Sequence, residues 1–149
     1  MYLFRTITRI GGYLTPFPFW LDSLGKKGEY LALRYFRRKG YYLVGKNQRI
    51  GRWELDLILC NGREIIVLEV KARRPKGEPK RIGDLVSFNQ RERIHRAGQS
   101  YLKKKNWQSQ IHRYLLVYIL FQEKEKLLLA VKPGSWQHEI TVSDLELSR

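Results

Sequence analysis

Two apolar segments separated by Asn61-Gly62 restrict the fold more than any other feature of the chain. The segments, 53–60 and 64–71, are rich in leucine, isoleucine and valine. In the half of each segment farther from the turn, charged side chains stand at alternate positions. Asn-Gly between two such runs is a strong signal for a two-residue β-hairpin turn. The pattern predicts a hairpin with charged residues gathered on one face.

The remaining elements are predicted from helical periodicity and turn residues. A helix begins at Asp22 or Ser23, both good N-cap residues, and ends near Lys39, where Gly40 follows. The resulting order of helices and strands predicts an α/β sandwich with a central mixed β-sheet. The other predicted elements are a strand over 41–44, a basic helix over 83–105, and strands over 114–121 and 127–131.

The chain has 149 residues, which fits one domain with a single core. Residues 1–22 combine a Gly-Gly pair, two prolines and several aromatics, which predicts an irregular arm that packs onto the domain. The core is predicted over 23–132. A C-terminal extension is predicted over 133–149, with a short strand within 136–147.

The formal net charge is +15, from 29 basic and 14 acidic residues spread along most of the chain. Basic residues release condensed counterions when they meet phosphates, so this charge favours a nucleic-acid partner. An anionic membrane surface would attract the same charge, and RNA-binding or ribosomal proteins share this composition.

Cysteine usage and hydropathy exclude several other classes. The lone Cys60 excludes an internal disulfide framework, and three separated histidines offer no zinc-ligand cluster. The longest apolar run, 114–121, is much shorter than the roughly 20 residues that span a bilayer. The N-terminus has no clear signal-peptide pattern. We therefore expect a cytoplasmic protein with no membrane partner.

The charged face of the hairpin is the candidate site. With the Asn-Gly pair at the centre of the turn, the register places Asp56 opposite Val67 and Glu54 opposite Glu69. Side chains alternate along a strand, so Glu54, Asp56 and Glu69 share a face with Lys71. Asp56 and Glu69 are then diagonal neighbours, close enough for both carboxylates to reach one ion.

Facing carboxylates repel, so this cluster requires a cation. A hard divalent ion such as Mg²⁺ or Mn²⁺ accepts carboxylate oxygens and takes substrate phosphate at its remaining positions. Lys71 could then hold or deprotonate the attacking water and stabilise negative charge on the phosphorus. The surface of an amphipathic hairpin would carry the same charges without function. Ile58, Ile65 and Val67 on the same face favour a partly buried cluster instead.

Five strings in this order resemble the YraN-like family of predicted endonucleases. This family is a branch of the PD-(D/E)XK nuclease superfamily, which also holds archaeal Holliday-junction resolvases and many restriction enzymes. The resemblance covers roughly residues 25 to 120. The strings are GKKGEYLA, Gly40-Tyr41, WELDLI, VLEVKARR and RERIHRAGQSYL.

The resemblance implies a restriction-endonuclease-like α/β/α sandwich and a role for each matched residue. Glu29 would be the helix-borne acid of the site, and Asp56 the central metal ligand. Glu69 and Lys71 would form the E-x-K pair. The main-chain carbonyl of Val70 would complete the shell of a Mg²⁺ or Mn²⁺ ion. Cleavage of two DNA strands would favour a two-fold homodimer.

Three further positions near the predicted site match or depart from the family's pattern. Glu54 matches the first acid of the family's G-E-I-D string and is a candidate accessory residue. Trp53 replaces the glycine that usually precedes this acid. Gln90 stands where the family commonly has a lysine, and glutamine is used near this place in other branches of the superfamily.

The leading hypothesis is an endonuclease that hydrolyses phosphodiester bonds of DNA, with branched or flapped DNA favoured because no sequence-reading module is visible. The alternatives are a nucleic-acid-binding protein with a silent metal site and a structural or ribosome-associated basic protein. Basic residues that flank the acids in sequence are the candidates for phosphate contacts, namely Lys26, Lys27, Arg49, Arg52, Arg73 and Arg74.

Overall fold

A computed structural model of the chain describes residues 8–10, 22–74, 86–121 and 127–133. Within these ranges the chain forms a six-stranded sheet and two helices. The helices are α1 (Leu24–Arg38) and α2 (Phe88–Lys104). The strands are β1 (Thr8–Ile10), β2 (Tyr42–Ile50), β3 (Trp53–Cys60), β4 (Ile65–Arg73), β5 (His112–Phe121) and β6 (Leu127–Pro133).

The sheet has the order β1-β6-β5-β4-β3-β2, with β4 and β5 parallel and the other neighbours antiparallel. The two helices pack on its opposite faces. Phe36 of α1 packs in a cluster with Leu68, and Leu102 of α2 packs in a second cluster with Ile58 and Val67. The predicted α/β sandwich with a mixed sheet is confirmed, and the arrangement is compatible with a restriction-endonuclease-like fold.

The helix starts follow their capping residues. Ser23 caps α1 as predicted, and its hydroxyl accepts a hydrogen bond from the N–H of Lys26 at 3.2 Å. The predicted start of the second helix at Gly83 was wrong. Ser87 is the N-cap of α2 and accepts from the N–H of Gln90 at 3.2 Å, so this helix begins at Phe88. Neither α1 nor α2 is long and apolar enough to cross a membrane.

The hairpin turn lies one residue later than predicted. Gly62, with φ +83°, and Arg63 occupy its centre, and Asn61 and Glu64 close it. The Asn61 side chain accepts hydrogen bonds from the N–H groups of Arg63 and Glu64, both at 2.9 Å, as in an Asx turn. Moving the turn by one residue shifts the strand pairing by two. Side chains of the paired residues therefore keep their predicted faces, but their cross-strand partners change. Farther from the turn the alternation is interrupted, since Leu55 packs in the same cluster as Ile58 while Leu57 packs in the cluster with α1.

The edge strands also differ from the prediction. β2 extends well beyond the predicted strand over 41–44, because the polar residues of an edge strand resemble a loop in sequence. β1 gives the N-terminal arm a short strand, where an irregular arm was predicted. Residues 1–7 and 11–21, and the strand predicted within 136–147, lie outside the described residues.

Gly28 lies where α1 crosses β4. A Cβ atom at this position would be 2.7 Å from the Cβ of Ala72. We expect Gly28→Ala to lower the free energy of unfolding by about 1–3 kcal/mol, because the helix must move away from the sheet. Urea denaturation measures this change. Gly25→Ala is the matched control, since a Cβ there meets no atom within 4 Å, and should change stability by less than about 1 kcal/mol. Equal losses in both variants would contradict this packing.

Candidate active site

The charged residues lie where β3 and β4 stop pairing through their backbones. The register pairs Leu57 with Leu68, and its continuation by one residue sets Asp56 opposite Glu69. Here the Oδ2 atom of Asp56 accepts a hydrogen bond from the N–H of Val70 at 2.7 Å. The Asp56 side chain therefore takes a bond that a carbonyl of the neighbouring strand would normally accept.

The later turn changes the predicted pairing of the acids. The predicted pairing of Asp56 with Val67 was wrong, since Val67 pairs with Ile58. The predicted pairing of Glu54 with Glu69 was wrong for the same reason. Directly opposite side chains lie closer than diagonal ones. The observed register therefore brings Asp56 and Glu69 closer together than the predicted diagonal pairing would.

Asp56 is held in surroundings that disfavour its charge. Burial and then the negative charge of Glu69 raise the pKa of Asp56 to about 7. The Val70 N–H and the Lys71 ammonium act in the opposite direction, and the carboxylate of Glu29 adds a smaller upward contribution to this pKa. Both other acids therefore act on Asp56 electrostatically, and a further cation would favour the ionised form of Asp56.

Glu69 is buried, with 8% of its surface exposed. Its Oε1 atom accepts hydrogen bonds from the Lys71 ammonium and, at 3.2 Å, from the side-chain amide of Gln90. Among the described residues both donors reach Oε1, which leaves Oε2 for another partner. The structure thus brings Lys71 and the accessory candidate Gln90 to the same carboxylate, although Gln90 comes from α2 on the far side of a long connection.

Glu29 projects from α1 with 16% of its side chain exposed. Its Oε2 atom is buried and accepts no hydrogen bond from the described residues. The ammonium of Lys46 lies 3.4 Å from this atom and forms an ion pair with it. Sequence reasoning missed Lys46, because the predicted strand ended before it and nothing in the local pattern marks a lysine on an edge strand as part of a site.

Glu54 is exposed and borders a cavity of about 340 Å³ next to Glu69. Trp53 and Gln90 also line this cavity. Both positions that depart from the family pattern therefore lie beside the acidic cluster. The sequence placed them near the site but did not indicate that they share a cavity.

The predicted phosphate-contact residues lie on several elements. Arg73 and Arg74 are exposed at the end of β4, directly beyond Lys71. Lys26 is exposed in the first turn of α1 and forms an ion pair with Asp22 at 2.9 Å. Of the others, Lys27 is half-buried on α1, Arg49 is exposed on β2, and Arg52 is exposed in the turn before β3 and lines the cavity.

The donors suit a hard divalent cation in their chemistry. Across the described residues no three Asp, Glu, His or Cys side chains form a group that could hold a metal ion by themselves. Asp56 and Glu69 offer two carboxylates and Val70 a main-chain carbonyl, and Mg²⁺ commonly uses one or two carboxylates together with water and phosphate. The pKa of Asp56, raised by burial and by the charge of Glu69, fits a site that lacks positive charge beside these two carboxylates.

One known family matches most of this region. The family described as "Uncharacterised protein family UPF0102" matches residues 28–119, which are more than half of the chain. The chain belongs to this family. UPF0102 is the YraN-like family, whose members are predicted endonucleases of the PD-(D/E)XK superfamily, so the resemblance inferred from the sequence is confirmed.

Several UPF0102 proteins are similar to this chain. The protein of Alkaliphilus metalliredigens is 30% identical over 107 residues, covering 70% of this chain and 91% of that protein. The protein of Desulfitobacterium hafniense is 34% identical over 111 residues, covering 70% and 86%. The protein of Chlorobium limicola is 39% identical over 82 residues, covering 54% of this chain and 61% of that protein.

Proposed function

We propose that this UPF0102 protein is a metal-dependent endonuclease that hydrolyses phosphodiester bonds of DNA. The observation that carries the proposal is the pair of carboxylates, Asp56 and Glu69, set across two separating strands with Lys71 bound to the second of them. Family membership supports a nuclease-like protein. The net charge of +15 supports a polyanionic substrate.

In this proposal Asp56, Glu69 and the carbonyl of Val70 hold a Mg²⁺ or Mn²⁺ ion. When bound, the ion supplies positive charge that polarises the scissile phosphate and lowers the pKa of water. The amide of Gln90 and the ammonium of Lys71 fix Oε1 of Glu69, so Oε2 would be left to hold the ion. The N–H of Val70 orients Asp56 in the same way, through Oδ2.

Lys71 is the group we assign to the attacking water. Its side chain is 19% exposed and its ammonium is held by Glu69, so it is ordered before substrate binds. A positive charge fixed at this position stabilises negative charge that develops on the phosphoryl oxygens as the water oxygen attacks phosphorus and the bond to the leaving oxygen breaks. Little reorganisation is then needed during the reaction.

Glu29 and Glu54 have accessory roles in this proposal. Glu29 acts on Asp56 through its charge and is paired with Lys46, so it adjusts the charge of the site from α1. Glu54 lies at the border of the neighbouring cavity. For the substrate we propose branched or flapped DNA, and for cleavage of two strands a homodimer.

The basic test is cleavage by the purified wild-type protein. Plasmid, flap and four-way-junction DNA are incubated with Mg²⁺ or Mn²⁺, and parallel reactions contain EDTA. We expect cleavage that EDTA abolishes. A protein that binds these substrates but leaves all of them intact would support a non-catalytic nucleic-acid-binding protein on a nuclease-like fold instead.

DNA binding should depend steeply on salt and on the arginines at the end of β4. Reversing both Arg73 and Arg74 to glutamate should weaken binding by about tenfold or more, because each lost phosphate contact lowers the number of counterions that DNA releases on binding. The effect should not depend on DNA sequence. Fluorescence anisotropy over a range of salt concentrations, without divalent ions, measures both quantities.

Reversal of Arg37 and Arg38 provides the matched control. These exposed arginines lie in the last turn of α1, about 12 Å along the helix from Glu29, and their reversal changes the net charge by the same amount. We expect a smaller loss of affinity. Equal losses in the two double variants would show that binding follows net charge alone, and would contradict the placement of DNA along the end of β4.

A further inference from the structure

The cavity beside Glu69 has features that the cleavage reaction does not use. Its volume of about 340 Å³ lies in the range of small-molecule sites. Its walls come from the turn before β3, the start of β3, β4, and the first half of α2 with its N-cap. Trp53, Arg52 and Arg93 contribute an aromatic ring and two guanidinium groups to these walls. Glu69 forms another part of the wall, so the cavity reaches the proposed cleavage centre.

Trp53 has two different environments. It is half-buried and packs against the hydrophobic cluster between the sheet and α2. The guanidinium of Arg52 lies over its ring, 5.6 Å from the ring centroid. The core thus holds the indole in place, and both Trp53 and the Arg52 that covers its ring line the cavity. Aromatic rings held in this way are the platforms on which proteins stack unpaired bases.

The polar and charged residues of the cavity can bind different parts of a nucleotide. Arg93 is exposed and lines the cavity from α2, whereas Arg52 lines it from the turn before β3. Guanidinium groups bind phosphate oxygens through their N–H donors. The amide of Gln90 and the hydroxyl of Ser87 add neutral hydrogen-bonding groups to the wall. The exposed carboxylate of Glu54 disfavours phosphate on its own side and leaves that side to the base.

We propose that this cavity binds one unpaired nucleotide of the DNA substrate, with its base stacked on Trp53 and its phosphate held by Arg93. The base replaces the guanidinium of Arg52 on the ring, and Arg52 turns toward the neighbouring phosphate. A paired base cannot stack on Trp53, because its faces are covered by its neighbours in the duplex. This inference rests on the proposed function, and it makes Trp53 a specificity residue that selects DNA with a single-stranded segment next to the cut.

Binding in EDTA tests the subsite without cleavage. We expect Trp53→Leu to lose about tenfold in affinity for a labelled single strand, as expected when one stacked base is lost. Affinity for a fully paired duplex should change by less than about twofold. Trp53→Phe, which keeps an aromatic face, should retain most single-strand binding. Arg93→Ala should make the slope of log affinity against log salt concentration less steep, by about the amount that one phosphate contact contributes.

Two matched controls separate stacking and phosphate binding from general effects. Trp107 is half-buried against the same cluster but does not line the cavity, so Trp107→Leu should leave single-strand binding unchanged. Arg96 is on the same helix as Arg93 and pairs with Glu92, so Arg96→Ala should keep the salt slope. A further measurement uses wild-type protein and single strands in which one base is missing at successive positions. At one position the missing base should lower the affinity as much as Trp53→Leu does.

The outcomes distinguish this subsite from the proposed function. Wild-type cleavage together with unchanged single-strand affinity in Trp53→Leu would overturn the subsite and leave the endonuclease standing. Selective loss of single-strand affinity without any wild-type cleavage would support the subsite and overturn the endonuclease. Equal losses for single strand and duplex, or no effect of any abasic position, would overturn base stacking on Trp53.

Discussion

Alanine at Asp56, Glu69 or Lys71 is expected to reduce Mg²⁺- or Mn²⁺-dependent DNA cleavage by about a thousandfold or more. Replacing Asp56 or Glu69 would remove a charged ligand of the ion, and replacing Lys71 would remove a fixed positive charge at the phosphoryl group. The three effects should not add, because the residues act as one unit. Each single variant should therefore be nearly as inactive as the triple variant.

DNA binding should survive these substitutions. The exposed arginines at the end of β4 remain in place. Loss of the Asp56 or Glu69 carboxylate should tighten binding without metal, since it removes a negative charge that repels the phosphate backbone. Glu29→Gln should reduce turnover by about tenfold without abolishing it, because Glu29 acts on the site through Asp56 and Lys46.

Glu92→Ala is the control for removing an acid elsewhere. Glu92 pairs with Arg96 on α2 and is not one of the described residues that line the cavity beside Glu69. Wild-type and variant proteins are purified identically and assayed on flap and four-way-junction DNA with and without EDTA. Cleavage that persists in Asp56→Ala would point to a contaminating nuclease or a different active site, and would contradict the assignment of Asp56 as a metal ligand.

Asp56→Asn is expected to stabilise the metal-free protein at alkaline pH. The pKa of Asp56 is about 7 in the folded protein, against an ordinary value of 3.8. Between these values the folded state binds the proton more strongly than the unfolded state, so stability falls as pH rises. The favourable contribution of protonated Asp56 is complete below the unfolded pKa and is lost above the folded pKa. The ionised side chain therefore destabilises the protein above about pH 7 by about 2–4 kcal/mol.

Asparagine keeps an oxygen that can accept from the N–H of Val70 but carries no charge. In EDTA at about pH 8, the melting temperature of Asp56→Asn should exceed that of wild type by about 5–10 °C. The difference should shrink toward pH 4. Added Mg²⁺ or Mn²⁺ should stabilise the wild type at pH 8 and have little effect on the variant, because binding to the folded state alone raises its stability.

Thermal unfolding between about pH 4 and pH 8, with EDTA or with Mn²⁺, measures both effects. Glu92→Gln serves as the control, since this half-exposed acid pairs with Arg96 on the surface of α2. A difference between Asp56→Asn and wild type that is independent of pH would contradict the raised pKa. Equal stabilisation of both proteins by Mn²⁺ would place the ion at another site.

Local patterns in the sequence determined which elements form and which side chains share a face. The alternation of charged and apolar residues in β3 and β4 placed Asp56, Glu69 and Lys71 together, because strand periodicity depends only on the backbone. That result held although the turn was predicted one residue too early. A shift of two in register cannot move a side chain to the other face. Ser23 likewise predicted the start of α1, since capping is a local hydrogen bond.

Tertiary structure decided the partners of those side chains. Whether Asn61 would be a central turn residue or cap the turn with its side chain could not be read from the Asn-Gly pair, because both turns satisfy the local pattern. The contact of Gln90 with Glu69 and the ion pair of Lys46 with Glu29 join segments that are distant in the chain. The raised pKa of Asp56 likewise depends on burial and on neighbours from other elements. Such effects arise only when helices and strands pack against one another, so no local sequence pattern records them.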